Sequence, residues 1–240
     1  MIGVFDSGVG GLYIYKKLKQ SLPGQSFIYL ADQEFAPYGY RSQAEIIERS
    51  TKIVSFLQAK GANLVVIACN TATVNAIDEL REKFEIPIVG IEPAIKPALA
   101  AHGQVIVLAT HSTVKNSRYH QLVERFNSGK QVFHIGATEL VGQVEAGDLD
   151  GIELLKEKLD GQAATAIVIG CTHFSFLKPL IKKMWPQVEI FDGADGVVRR
   201  VESLVDVDTV DSHSYDYFFS TKKHAANALE AEFEFKVISL

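Results

Sequence analysis

Short apolar segments alternate along the chain with longer segments in which apolar residues recur at helical spacing. The apolar segments are rich in β-branched residues and almost uninterrupted, which is typical of strands buried on both faces of a parallel sheet. Their alternation with amphipathic segments predicts an α/β fold. The predicted strands are 2–5, 27–30, 64–68, 86–90, 105–109, 132–135, 166–170 and 188–191, the predicted helices are 44–60, 114–126 and 151–159, and the tail 233–237 alternates like a strand with one exposed face.

Two segments that contain the only cysteines resemble each other at a constant offset of 102 residues. In each segment, three β-branched residues and one small residue precede the cysteine, Cys69 or Cys171, and polar residues follow it. The next predicted strands, and the strands that open each half, repeat at nearly the same offset. This repetition predicts two similar α/β domains that face each other across a cleft. We expect residues 1–95 and 206–240 to form the first domain and 96–205 the second.

Composition, charge and cysteine content argue against several classes of protein. The chain has 240 residues, of which 47% are apolar and 22% charged, as in an ordinary globular protein. A net charge of -5 without a basic cluster argues against nucleic-acid binding. No apolar run approaches the ~18 residues of a membrane span, and the N-terminus lacks the basic region of a signal peptide. Two cysteines without a disulfide framework indicate free thiols in a reducing cytoplasm.

Each cysteine follows the carboxyl end of a predicted parallel strand, where ligands bind in open α/β sheets. Backbone N–H groups at the start of a following helix would favour a thiolate and lower the thiol pKa. A thiolate on one face of a carbon and a thiol on the other could invert a stereocentre by proton transfer. The alternatives are two buried structural cysteines, a disulfide, a metal site without the usual ligand spacing, and a redox pair without its Cys-x-x-Cys motif.

Several polar positions could share the edge of the sheet with the cysteines. The glycine-rich segment 6–11 does not match the dinucleotide-binding fingerprint, because Tyr13 stands where the third glycine belongs. A tight turn that lets a small anion approach the backbone is the better interpretation. Asp6 either lies at this edge or caps a helix. The loop 32–39 either reaches over the cleft or is a surface turn, and His173 either tunes Cys171 or is structural.

Taken together, the motifs resemble those of the glutamate racemases in the aspartate/glutamate racemase superfamily. Four blocks carry the resemblance, with support from 87–93, 113–114 and Tyr119: they are 5–11, 37–39, 68–72 and 170–173. The resemblance implies two α/β domains with the site between them, no cofactor and no metal. It also implies interconversion of L- and D-glutamate in the cytoplasm, which supplies D-glutamate for peptidoglycan. Glutamate is the expected partner, a membrane or nucleic acid is not, and a homodimer stays open.

The resemblance also implies roles for individual residues. Cys171 would take the α-proton from L-glutamate and Cys69 would take it from D-glutamate. The residues expected to assist the two thiols are Asp6, His173 and Glu145, although nothing in the local sequence distinguishes Glu145 from a solvated helix residue. The expected substrate contacts are Asp6, Ser7, Tyr38, Gly39, Asn70, Thr71, Thr172 and His173.

The chain departs from the family pattern at Gly142, Ser175 and Gly193, which leaves the details of the second-domain cleft open. The first strand opens the chain, so regulation through the N-terminal extension that some members carry is not expected. Two alternative functions remain. One is a racemase of the same superfamily that acts on aspartate or a hydantoin, and the other is a regulatory protein that binds a small molecule on the same scaffold.

Overall fold

The computed structural model describes residues 1–147, 152–161, 164–205, 214–222 and 232–240. The described strands form two sheets in which every neighbouring pair is parallel. Helices pack on both faces of each sheet, so the expected fold class, two parallel-sheet α/β units, is confirmed. Residue 151 of the predicted third helix, and 206–213 and 223–231 of the predicted first domain, lie outside the described residues.

The first sheet has six strands in the order β10-β9-β2-β1-β3-β4, and the second has four in the order β6-β5-β7-β8. The internal resemblance therefore corresponds to a repeated arrangement, because β2-β1-β3-β4 and β6-β5-β7-β8 have the same connectivity. The strands are β1 Ile2–Asp6, β2 Phe27–Ala31, β3 Leu64–Ile67, β4 Ile88–Gly90, β5 Gln104–Ala109, β6 Gln131–Gly136, β7 Ala166–Gly170, β8 Glu189–Asp192, β9 Asp216–Ser220 and β10 Phe235–Val237.

Ten α-helices are described, and short 3-10 helices cover Tyr38–Tyr40 and Thr172–Leu177. The predicted helix 114–126 is in fact two helices, because Thr110 and Asn116 each accept a hydrogen bond from a backbone N–H and cap separate helices. The helices are α1 Leu12–Ser21, α2 Gln43–Ala59, α3 Asn70–Lys83, α4 Ile95–Ala101, α5 His111–Lys115, α6 Ser117–Phe126, α7 Glu139–Glu145, α8 Ile152–Leu159, α9 Lys178–Met184 and α10 Ala194–Glu202.

Strands β9 and β10 extend the first sheet beyond β2. Helix α10 also packs on this sheet, since Val197 and Val201 are buried in one apolar cluster with Val4 and Leu18. The domain limits predicted from the sequence remain a prediction. Among the described residues, no helix has both the length and the apolar character needed to span a membrane.

Candidate active site

The carboxyl ends of the parallel strands bring the predicted residues to one edge of each sheet. Asp6 is the last residue of β1, Cys69 lies two residues beyond β3, and Cys171 directly follows β7. Their side chains are almost completely buried, at 0%, 4% and 5% exposure, and both cysteines are free thiols. A ligand that reached these groups would therefore be removed from bulk water, which strengthens electrostatic interactions with it.

Cys69 is the residue that caps α3. Its Sγ accepts a hydrogen bond from the N–H of Ala72 at 3.4 Å and donates to Oγ of Ser7 at 3.7 Å. Burial, reinforced by the nearby charges of Asp6 and Cys171, nevertheless raises the pKa of Cys69 to about 12. The backbone N–H at the helix start lowers the pKa of Cys69 as expected, but burial outweighs this effect. Burial removes water from around the thiolate. This loss destabilises the thiolate more than hydrogen bonds from one backbone N–H and one hydroxyl stabilise it.

Asp6 connects the two halves of the molecule. Its Oδ1 accepts from the N–H of Gly8 at 2.8 Å, and its Oδ2 accepts from the hydroxyl of Thr172, which follows Cys171, at 2.9 Å. Burial raises the pKa of Asp6 to about 6, although His173 and these two donors oppose the shift. Asp6 does not cap α1, whose first residues have no side-chain cap. It is a buried carboxyl that titrates near neutral pH.

His173 joins Cys171 to Glu145. Its Nδ1 lies 3.9 Å from Sγ of Cys171, and its Nε2 lies 2.5 Å from Oε1 of Glu145. Burial alone would lower the pKa of His173, but hydrogen bonds with Cys171 and Glu145, together with the charges of Glu145 and Asp6, raise it well above its usual value. Burial opposes ionisation of Glu145 as well, yet His173 and two further donors lower its pKa. The pair is thus held as imidazolium and carboxylate.

The glycine-rich turn after β1 makes room for this ion pair. A Cβ atom on Gly8 would lie 1.8 Å from Oε1 of Glu145, and one on Gly10 would lie 2.7 Å from the backbone N of His173. The N–H of Val9 in the same turn donates to Oε1 of Glu145 at 2.8 Å. Residues of the second half of the chain therefore approach these glycines closely, and the expected approach of a small anion to the turn remains a prediction.

The loop 32–39 brings Tyr38 and Gly39 to the site. The hydroxyl of Tyr38 is buried and donates to Oδ2 of Asp32 at 2.7 Å, and the guanidinium of Arg49 binds the same carboxylate through both oxygens. Burial and the charge of Asp32 raise the pKa of Tyr38 well above its usual value. Gly39 lies against the second half, since a Cβ there would meet Oγ1 of Thr138 at 2.6 Å. This loop lies at the boundary between the halves rather than forming an exposed turn.

The remaining predicted contact residues are buried at the start of α3. The side chain of Asn70 approaches the carbonyl of Ile91 at 3.5 Å, and Oγ1 of Thr71 lies 2.9 Å from Oγ1 of Thr110. Thr110 was missed by sequence reasoning, although it directly follows β5 and the strand-end rule that found the cysteines would have found it. Asp32 and Gln33, which also hold site residues, follow β2 in the same way.

The arrangement places acid/base groups of both signs around two thiols. The charged partners of Cys171 come from the second half, and Cys69 has a hydroxyl and a carboxyl from the first half beside it. Among the described residues, no cluster of three His, Cys, Asp or Glu side chains is arranged to hold a metal ion. Such groups can exchange protons with a bound molecule.

These features define a family of amino-acid isomerases. A family model described as Asp/Glu/Hydantoin racemase matches residues 2–201, and the chain belongs to this family. The chain is 43% identical over 214 residues to a glutamate racemase of Pseudomonas paraeruginosa, an alignment that covers 85% of this chain and 81% of the relative. The resemblance inferred from the sequence motifs is thereby confirmed.

Solved structures of glutamate racemases are also similar. One is the Escherichia coli enzyme in complex with L-glutamate and the activator UDP-MurNAc-Ala, with a TM-score of 0.84, 35% identity, and coverage of 93% of this chain and 90% of that chain. Another is the Francisella tularensis enzyme in complex with D-glutamate, with a TM-score of 0.85, 27% identity, and coverage of 99% and 97%.

Proposed function

We propose that this protein interconverts L- and D-glutamate by proton transfer between two thiols. The observation that carries the proposal is the pair of buried, free cysteines at equivalent strand ends of two sheets with the same connectivity. Relatives and solved structures named as glutamate racemases support glutamate as the substrate.

Cys171 is the thiol that lies beside the ion pair of His173 and Glu145. In our scheme the imidazolium of His173, held by Glu145, donates from Nδ1 to Sγ of Cys171 and stabilises the thiolate that remains when the S–H proton is released to water. The raised pKa keeps Cys69 protonated at neutral pH. The thiolate of Cys171 is then the base, and the thiol of Cys69 the acid, for the conversion of L-glutamate.

The chemical step moves two protons. The Cys171 thiolate takes the α-proton of L-glutamate, which breaks the Cα–H bond and leaves a carbanion. The thiol of Cys69 delivers its proton to the opposite face, which gives D-glutamate and a Cys69 thiolate. The N–H of Ala72 and the hydroxyl of Ser7 can then donate to that thiolate. Starting from D-glutamate, the same steps run in reverse with the two thiols in exchanged roles.

Neutral donors would bind the two carboxylates of glutamate. The hydroxyl of Ser7 contacts Sγ of Cys69, and Asn70, Thr71 and Thr172 follow the cysteines within two residues. Their hydroxyls and amide can donate to carboxylate oxygens. A cavity of about 760 Å³ borders the site at Gly39, and the described residues that line it include cationic Arg41 and Lys115 but no carboxylate. Such a lining favours the approach of a dicarboxylate.

The remaining parts of the proposal concern the protein's setting. We place it in the cytoplasm, where free thiols persist, and infer that its D-glutamate serves peptidoglycan synthesis. The domain limits 1–95 with 206–240 and 96–205, and action without a cofactor, belong to the same proposal, whereas a homodimer stays open.

The test is incubation of the purified protein with L-glutamate, D-glutamate or L-aspartate in deuterium oxide without added cofactor. Chiral chromatography and mass spectrometry would follow inversion and α-deuteration together. We expect inversion of glutamate in both directions with uptake of one deuterium. Turnover of aspartate alone would replace the substrate, and the absence of exchange with every amino acid would overturn the proposed racemase.

A further inference from the structure

Gln33 lies in the turn after β2 and links three parts of the molecule. Its Nε2 donates to Oε2 of Glu145 at 2.9 Å, and its Oε1 accepts from the hydroxyl of Ser220, the last residue of β9, at 2.8 Å. The amide orientation follows from the chemistry, because the carboxylate of Glu145 can only accept. Gln33 therefore ties the first sheet to the helix α7 that carries Glu145.

The two oxygens of Glu145 have different partners. Oε1 faces Nε2 of His173 and the N–H of Val9, whereas Oε2 receives the amide of Gln33. The terminal torsion of a glutamate side chain is broad, so a carboxylate bound at one oxygen can rotate about its last bond. A donor on the second oxygen restricts that rotation and keeps Oε1 directed at His173.

From this geometry we infer that Gln33 is a positioning residue for the Cys171 half of the reaction. It acts through Glu145 and His173. The inference rests on the proposed racemase function. It adds a specific asymmetry, because the hydrogen bonds from Gln33 lead through Glu145 to the His173 ring beside Cys171, whereas Glu145 influences Cys69 through the charge of Asp6. Loss of the Gln33 amide should weaken proton abstraction by Cys171 more than abstraction by Cys69.

The pKa shifts of Glu145 and His173 also predict weaker proton abstraction by Cys171 when the Gln33 amide is lost. The amide of Gln33 is one of the donors that lower the pKa of Glu145, and the charge of Glu145 raises the pKa of His173. The other titratable groups that face His173 are Asp6 and Cys171. Without the amide, the pKa of Glu145 should rise and that of His173 should fall, so the imidazolium beside Cys171 would be less populated at neutral pH.

Two substitutions separate positioning from simple packing. Gln33→Met keeps the length of the side chain and removes both hydrogen bonds. Gln33→Glu keeps an acceptor for Ser220 and replaces the donor to Glu145 with a second carboxylate that repels it. Glu34→Gln is the matched control, because Glu34 is the exposed neighbour in the same turn. We expect both Gln33 variants to lose kcat by roughly 10- to 100-fold, with a smaller change in KM, and the control to resemble wild type.

The decisive readout is the primary isotope effect measured from each enantiomer of glutamate deuterated at Cα. We expect it to rise more for L-glutamate than for D-glutamate in both Gln33 variants. In addition, NMR titration should show a lower pKa of His173 in Gln33→Met. Wild-type kcat in Gln33→Glu would overturn the inference, and so would equal isotope effects in both directions.

Different results would contradict the proposed racemase function and the proposed role of Gln33. If the wild-type protein does not exchange the α-proton of glutamate, the proposed function is wrong, and the titration of His173 still tests whether Gln33 controls the ion pair. If the wild-type protein racemises glutamate but the variants keep its isotope effects, only the role of Gln33 is wrong. Should Gln33→Met fail to fold, Gln33→Glu carries the test alone.

Discussion

Oε1 of Glu145 lies 2.5 Å from Nε2 of His173, and both side chains are largely withdrawn from solvent. The contact joins the end of α7 to the 3-10 helix that follows Cys171. A buried imidazole would ordinarily lose its charge, yet the carboxylate raises the pKa of His173 well above its usual value. The charge state of the residue beside Cys171 therefore depends on a residue 28 positions away.

Glu145→Gln should lower the pKa of His173 and reduce racemisation. The amide keeps the shape of the side chain and an acceptor for Val9, but it removes the negative charge. We expect a loss of kcat of roughly 10- to 100-fold near neutral pH. Because the imidazolium would then form only at lower pH, the pH optimum should move downwards. Steady-state kinetics across pH would measure both effects.

The control for this variant is Glu139→Gln in the same helix. Glu139 binds Lys158 and is one-third exposed, so its loss should change racemisation little. A pH optimum that stays in place in Glu145→Gln would contradict the role assigned to the ion pair.

Removal of either thiol should abolish racemisation and leave one half-reaction. Loss of a positioned acid or base usually costs about 10²- to 10⁴-fold. With an analogue that carries a good leaving group on its β-carbon, the remaining base can still take the α-proton while the leaving group departs. We expect Cys69→Ala to eliminate only from the L-analogue and Cys171→Ala only from the D-analogue, measured by release of the leaving group. Elimination of the same enantiomer by both variants would refute the two-base scheme.

The sequence predicts the positions of the thiols because these depend on local rules. Apolar β-branched segments predict buried strands, and the residues that follow parallel strands meet at one sheet edge. Cys69, Cys171 and Asp6 all follow these rules. The repeat around the cysteines likewise predicts two related sheets, which the shared connectivity confirms.

The sequence cannot predict relationships that arise only when distant elements pack. In the sequence, nothing local distinguishes Glu145 from other helix residues. Its role depends on the packing of α7 against the glycine turn and His173. The raised pKa of Cys69 is a similar case, since burial and Asp6 outweigh the helix-start donor that local reasoning emphasised. Strand β9 was also missed, because its partner β2 is almost two hundred residues earlier in the chain.

Gly8→Ala should damage both stability and activity. The added Cβ would lie 1.8 Å from Oε1 of Glu145, so the carboxylate or the turn must move. We expect destabilisation of roughly 1–3 kcal/mol, as for overpacking of a buried site, and loss of kcat through displacement of Glu145. Chemical denaturation and steady-state kinetics would test the two effects.

Gly142→Ala provides the contrast in the helix α7. A Cβ atom at this position meets nothing within 4 Å. It should stabilise the protein by up to about 1 kcal/mol through helix propensity, with activity retained. Equal effects of the two glycine substitutions would mean that the close approach at Gly8 is unimportant.

Asp6→Asn should stabilise the protein at neutral pH while it reduces racemisation. The folded state raises the pKa of Asp6 from 3.8 to about 6, so it binds the proton more tightly than the unfolded chain does. The stability that this proton contributes is complete below pH 3.8 and is lost as pH rises through about 6. Above that pH the buried carboxylate opposes folding, and an amide removes the charge.

The advantage of Asp6→Asn in the free energy of unfolding should therefore grow between about pH 4 and pH 7. We expect about 1–3 kcal/mol at the upper end, because each unit of pKa difference corresponds to about 1.4 kcal/mol and the loss of the favourable interaction with His173 subtracts from it. Urea denaturation of both proteins at pH 4.5, 6 and 8 would measure this difference. A difference that does not vary with pH would show that Asp6 keeps an ordinary pKa in the folded protein. If the variant were more stable and fully active, the destabilising carboxylate of Asp6 would not contribute to catalysis. Asp6 would then not be one of the acid/base groups of the reaction.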